Sequence, residues 1–252
     1  MVTKNKIAQR ISISIGNLLF RNFFPVYNLI YPVFKRKQDA EEISFLKENI
    51  KKGDIILDIG ANIGFYSKIL AELTGEKGKV YCFEPDEINY NYFLQNTKGI
   101  KNISVHKKAV ADQTKTIKLY TSKLLNVDHR TYKVDDYEKE ISIDAVSIDD
   151  FVAGAFKVDF IKMDIQGFEL SALKGMTATL AANPNVKILT ELWPYGLRAA
   201  GVSCMELIDF IEKQGFKVYE LVGKKMEVLP KEKINRVANA EFEFGLNIFA
   251  TR

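Results

Sequence analysis

Two hydrophobic rhythms divide this chain. Four of the five residues 55–59 are apolar, the near-continuous run of a parallel strand covered on both faces, and Gly60-Ala61-Asn62-Ile63-Gly64 then reads as a tight turn into a helix over 65–73. Strand and helix return at 79–83, before a polar helix opened by Pro85-Asp86, at 103–110, at 158–164 with a helix through Leu173, and at 186–191. Ile43, Leu46 and Ile50 predict a helix ahead of the first strand. A helix over 205–214 and strands over 216–221 and 244–250 end the chain. This alternation predicts an α/β fold with a doubly wound parallel sheet. Residues 116–121 and 140–146 break the rhythm, because apolar and polar positions alternate there on either side of the polar run 126–133. They predict a hairpin-like insertion. Ser147 then caps a short helix, with Asp150 at the capping-box position.

The chemistry sits at the strand ends. About twenty residues after the glycine turn, the second strand finishes on Glu84, where a fold of this kind holds a nucleotide ribose through its hydroxyls. A dinucleotide site would read G-x-G-x-x-G so that the backbone can approach a pyrophosphate, but Asn62 stands in place of the second glycine. That pattern suits a ribonucleoside cofactor without phosphate, such as S-adenosylmethionine. The cofactor set is then Asp58, Gly60, Asn62 and Gly64 around the turn, Glu84 on the ribose, Asp112 near the adenine amino group, and Asp164. No metal is expected, since Asp164, Glu169 and Glu191 have no diagnostic spacing.

Charge separates the N-terminal segment from the rest. Residues 1–40 carry seven basic residues against Asp39, a net of +6, which leaves −2 of the chain's +4 for residues 41–252. The expected organisation is a helical extension over 1–40 and one domain over 41–252. Apolar residues of the extension are interrupted by Arg21, Pro25 and Pro32, so a bilayer span is not expected. Two readings stay open: short helices packed on the domain as a lid, or a basic, aromatic element on the inner membrane surface. Cys82 and Cys204 lie far apart and suggest neither a disulfide framework nor a zinc site, which fits a reducing cytoplasm. No secretory signal pattern is read near the start.

These segments resemble the FkbM family of S-adenosylmethionine-dependent methyltransferases. The resemblance rests on residues 57–64, Phe83-Glu84-Pro85, residues 109–112, Ser147-Ile148-Asp149-Asp150, and residues 161–169, which look like the family's K-x-D-x-x-G-x-E signature with Gln166 where many members carry Glu. It implies a Rossmann-like, seven-stranded sheet with an antiparallel last strand, and methylation of a hydroxyl on a sugar, glycan or small natural product.

Methyl transfer to a hydroxyl is helped by a base. Asp164 is the first candidate because it ends a parallel strand, beyond which ligands bind in such sheets. Lys162, two residues earlier on the same face, orients it or contacts the acceptor. His129, beside Asp128 and Arg130 in the polar insertion, and Glu191 are the further candidates, and Trp193-Pro194-Tyr195 offers flat surfaces for a sugar ring. A nucleic-acid methyltransferase is disfavoured by the net charge of the body and by Asp164-Ile165-Gln166-Gly167 in place of an [D/N]-P-P-[Y/F] turn. A non-catalytic membrane-docking protein is disfavoured by the intact turn and acid.

Overall fold

The computed structural model describes residues 15–122, 130–131, 137–222, 225–239 and 245–252. Helices α1 (residues 15–22), α2 (Phe24–Gln38) and α3 (Ala40–Asn49) precede β1 (Ile55–Ile59). Then come α4 (Phe65–Thr74), β2 (Lys79–Phe83), α5 (Glu87–Asn96) and β3 (Ile103–His106). The insertion is built from β4 (Ala109–Val110), β5 (Lys115–Ser122) and β6 (Tyr137–Val146), and α6 (Ile148–Val152) leads on to β7 (Phe160–Met163). Helices α7 (Glu169–Lys174) and α8 (Thr177–Ala182) precede β8 (Lys187–Leu192), and α9 (Pro194–Ala199) and α10 (Cys204–Lys213) precede β9 (Lys217–Val222). Last are β10 (Lys225–Val228), α11 (Lys231–Val237) and β11 (Leu246–Thr251).

The main sheet has the order β10-β9-β11-β8-β7-β1-β2-β3. Strands β3, β2, β1, β7 and β8 run parallel, and β11 enters antiparallel between β8 and β9. Among the described residues the sheet has eight strands rather than seven, because β10 adds an antiparallel partner on the outer edge of β9. All four residues of β10 are exposed, so no burial pattern marks it in the sequence. A second difference concerns residues 103–110, which do not form one strand. β3 stops at His106, Lys107 turns to the surface beside Glu87, and β4 joins β6 in a separate sheet of order β4-β6-β5.

Both faces of the main sheet are covered. Leu57 and Ile59 of β1 pack with Phe83, Ile161 and Met163 beneath Leu173, Leu197 and Leu207, while Ile56 packs with Phe160, Leu189 and Phe249 beneath Phe45, Leu46 and Leu70. From β1 the chain moves outward to β2 and β3, then returns on the other side of β1 as β7. This is the switch point of the sheet, outside whose strand ends ligands bind. Helix α2 lies over it, with Tyr31 and Lys35 turned inward.

Ser147 caps α6 as expected, accepting a hydrogen bond from the Asp150 amide at 3.1 Å. Its neighbour Asp149 does something the sequence did not suggest. Its carboxylate accepts from the amides of Ala178 (3.0 Å) and Thr179 (2.7 Å), capping α8 from across the fold. Asp149→Ala leaves those amides without an acceptor and should lower unfolding stability by about 0.5–2 kcal/mol in a denaturant titration. Cofactor affinity should be unchanged in the folded variant.

Candidate active site

The turn after β1 is held by its own hydrogen bonds. Gly60 has φ +83°, and a Cβ there would stand 2.0 Å from the Asp164 carbonyl oxygen, so only glycine lets the end of β1 close against the end of β7. Gly60 and Ala61 both donate to the Phe83 carbonyl at 3.0 Å, tying β1 to β2. Asn62 takes φ +49°, a left-handed conformation that asparagine tolerates, and its side chain accepts from the Ile63 amide at 2.7 Å. Its amide donates to Glu84 at 2.8 Å, and Gly64 donates to Ala61 at 2.9 Å. Every amide from 60 to 64 is therefore used within the protein. A pyrophosphate site needs backbone N–H groups pointing at the ligand, and this turn keeps none for one.

Glu84 is the buried acid beside the turn. One carboxylate oxygen accepts from Asn62 and the other from the Asp86 amide at 2.9 Å, and each retains capacity for a further donor. Burial raises its pKa to about 8, assisted by the charge of Asp86 and opposed by these amide bonds. A diol suits such a group because it offers two hydroxyl donors.

The second wall comes from β7 and the turn that follows it. Lys162 is buried, lies beside Asp58 in the β1–β7 register, and stands with its ammonium 4.2 Å from the centre of the Tyr66 ring. Burial works against its charge, but Asp164, Glu42 and Asp58 outweigh that and raise its pKa. Asp164 follows β7 directly and accepts from the Gln166 side-chain amide at 2.8 Å. Gln166 and Gly167 both have positive φ, and a Cβ on Gly167 would meet the Gly196 backbone at 2.4 Å. Glu169 closes this turn by accepting from the amides of Ile165 (3.3 Å) and Gly167 (3.2 Å). The Lys-Asp-Gly-Glu spacing thus has a physical meaning: a buried cation, a cavity carboxylate, a close backbone approach and a staple.

These elements enclose a cavity of about 310 Å³, bordered by a smaller one of about 200 Å³. Gly60, Asn62, Glu84, Lys162, Asp164 and Glu191 all line the larger. The insertion covers it with Leu119 and Thr131, and α2 covers it with Tyr31 and Lys35. Lys35, Tyr66, Lys162, Asp164 and Glu191 line both cavities, and Gln38, Asp39, Glu42 and Asn247 belong to the smaller alone. Glu191 is raised to about 8 by burial and by Asp164 and Glu169, against the pull of Lys162.

Other expected site residues stand elsewhere. Asp58 lies inside the sheet layer, where it accepts from Ser67, and Gly64 caps α4 against the Phe93 ring. Asp112 pairs with Lys115 at 3.0 Å, away from the cavity lining. Trp193 is buried and turned to Arg130, whose guanidinium lies 5.4 Å from its ring centre, so the Trp-Pro-Tyr segment anchors the insertion and does not line the cavity. His129 lies outside the described residues. Tyr31, Lys35 and Tyr66 were not singled out by sequence; Tyr66 had a signal, its place in the helical turn after Gly64.

Residues 58–218 match the family model for the methyltransferase FkbM domain. The chain belongs to the FkbM methyltransferase family. Among curated proteins, this FkbM chain is similar to the hexuronic acid methyltransferase AglP of Haloferax volcanii, at 25% identity over 154 residues. That match covers 60% of this chain and 62% of AglP. It is 26% identical over 168 residues to a Saccharolobus solfataricus protein assigned as a cobalt-precorrin-6B C(15)-methyltransferase (decarboxylating), covering 59% of this chain and 83% of that one. The crystal structure of a proposed rRNA-methylase from Clostridium thermocellum shares the fold, with a TM-score of 0.51 at 12% identity over 84% of this chain and 93% of that one. The FkbM domain is a S-adenosylmethionine-dependent methyltransferase domain, and the residues fit that cofactor: Glu84 for its ribose, and a turn without a phosphate cradle.

Two measurements check this site. Glu84 is the expected acceptor of two ribose hydroxyls, each bond worth about 0.5–1.5 kcal/mol to an uncharged carboxyl, so calorimetry of Glu84→Ala should show S-adenosylhomocysteine affinity reduced about tenfold. Glu169, raised by burial to about 7 from 4.5, gives the second. The folded state keeps a proton that the unfolded state releases above about 4.5, so its stabilisation is full below that pH and is lost as pH rises through about 7. Melting temperatures of Glu169→Gln should therefore gain on wild type steadily across this window.

Proposed function

We propose that the chain transfers a methyl group to a hydroxyl oxygen of a carbohydrate acceptor. The observation that carries this reading is the shared threshold between the two cavities: Lys162, Asp164 and Glu191 border the cofactor side and also a chamber lined by Gln38, Asp39, Glu42 and Asn247. Carboxylates and amides are the groups that hold a polyhydroxylated ring, and the similarity to a hexuronic acid methyltransferase supports the same class.

S-adenosylmethionine supplies a methyl group already activated by the positive charge on its sulfur. The chain's own task is to place the acceptor oxygen and receive its proton, and positioning alone is worth up to about 7–11 kcal/mol. Glu191 is the proton acceptor in this reading, because a carboxyl raised to about 8 is matched to neutral and mildly alkaline pH. Asp164 holds the acceptor hydroxyl, and Lys162 keeps the acidic cluster from losing its charge. Helix α2 and the insertion exclude water. A nucleic-acid acceptor is disfavoured, since its phosphates would face Asp39, Glu42, Asp164 and Glu191.

Isotopically labelled S-adenosylmethionine offered with neutral and acidic glycans, and separately with RNA, tests the acceptor class; label recovered in RNA alone contradicts the proposal. On a glycan acceptor, turnover should rise with pH through about 8 as Glu191 loses its proton. Glu191→Gln should lower turnover by about 10²–10⁴-fold. Asp164→Asn removes one of the charges holding Glu191 up, so the rise should move to lower pH. An unchanged rate and pH profile in Glu191→Gln would exclude it as the base.

A further inference from the structure

Among the described residues, helix α2 is apolar on both sides but packed on only one. Phe24, Tyr27 and Tyr31 turn inward, Phe24 stacked on Tyr92 and edge-on to Phe20, and Tyr31 edge-on to Phe65. Half a helical turn away, Val26, Leu29, Ile30, Val33 and Phe34 are exposed, Leu29 at 77% and Val33 at 71%, and Phe23 continues the stripe toward α1. A helix apolar all round is normally buried, and a contiguous exposed apolar stripe marks a contact surface. Basic residues border it. Arg36 and Lys37 are exposed in the last turn of α2, within a segment 1–40 of net charge +6.

We infer that α2 lies on an anionic lipid bilayer, its outer stripe inserted at the level of the headgroups and its basic residues on the phosphates. Apolar area joined to positive charge is the combination by which a helix binds in the plane of a membrane surface. The helix cannot cross one: it has 15 residues with Pro32 inside, and among the described residues no helix is long and apolar enough to span. A second copy of the chain fits the stripe less well, because an isologous contact sets this net basic patch against a copy of itself. The opposite side of α2 carries Tyr31 and Lys35 into the cavity wall, so docking sets the cavity against the membrane surface.

Cosedimentation of the full-length protein with phosphatidylglycerol–phosphatidylcholine vesicles, against phosphatidylcholine alone, tests this. Partitioning should be at least about tenfold stronger on the anionic vesicles and weaken as salt is raised. Both the double variant Leu29→Ser/Val33→Ser and the double variant Arg36→Glu/Lys37→Glu should lose binding while keeping wild-type S-adenosylhomocysteine affinity, which shows them folded. Absence of pelleting on anionic vesicles, or pelleting that neither variant reduces, overturns the inference. So does a concentration-dependent dimer, broken by Leu29→Ser/Val33→Ser, in a protein that ignores vesicles.

Discussion

A lysine buried in the sheet layer organises this site. Lys162 is held where burial opposes its charge, and it stays charged because Asp164, Glu42 and Asp58 surround it and the Tyr66 ring faces it. Taking such a cation out of water costs several kcal/mol unless its partners are in place, so the positions of these groups depend on one another. The strand β7 fixes the height of Lys162, α4 brings Tyr66, and α3 brings Glu42. The same charge lowers Glu191 and Glu42 while burial, and after it the neighbouring acids, raise them. The threshold between the two cavities is thus one electrostatic unit drawn from five elements, β1, β7, β8, α3 and α4.

The turn between β1 and α4 supplies the complementary constraint. Gly60 must approach the Asp164 carbonyl, and the amides from 60 to 64 bind Phe83, Glu84, Asn62 and Ala61. Those bonds bring Glu84 up to the turn and leave no cradle for phosphate. Cofactor selection in this chain is therefore a matter of where backbone donors have gone as much as of which side chains remain.

The parallel core was legible because its strands are near-continuous apolar runs bounded by glycine, and Glu84, Asn62, Lys162, Asp164 and Glu191 were legible because they fall at strand ends. What escaped the sequence is tertiary. The edge strand β10 has no buried face, and the break between β3 and β4 depends on pairing with β6, some forty residues on. Asp149 and Glu169 read as acids with open roles until the amides they accept from are known, and those lie on segments whose approach is set by packing. Tyr31 and Lys35 reach the cavity only because α2 folds back over the switch point, a path that helical periodicity alone does not specify when both faces of the helix are apolar. Asp58 and Asp112 share motifs with the cavity residues, yet the first is buried beneath α4, where Ser67 donates to it, and Lys115 holds the second at the surface.

The central claim is that the larger cavity is the cofactor site and the polar chamber beyond Asp164 is left for the acceptor. Crystals grown with S-adenosylhomocysteine and no acceptor test it directly. The structure predicts ligand density confined to the cavity between Gly60, Asn62 and Glu84, with the chamber bounded by Gln38, Glu42 and Asn247 free of it. Density filling that chamber, or a ligand that makes no contact with Glu84, would contradict it.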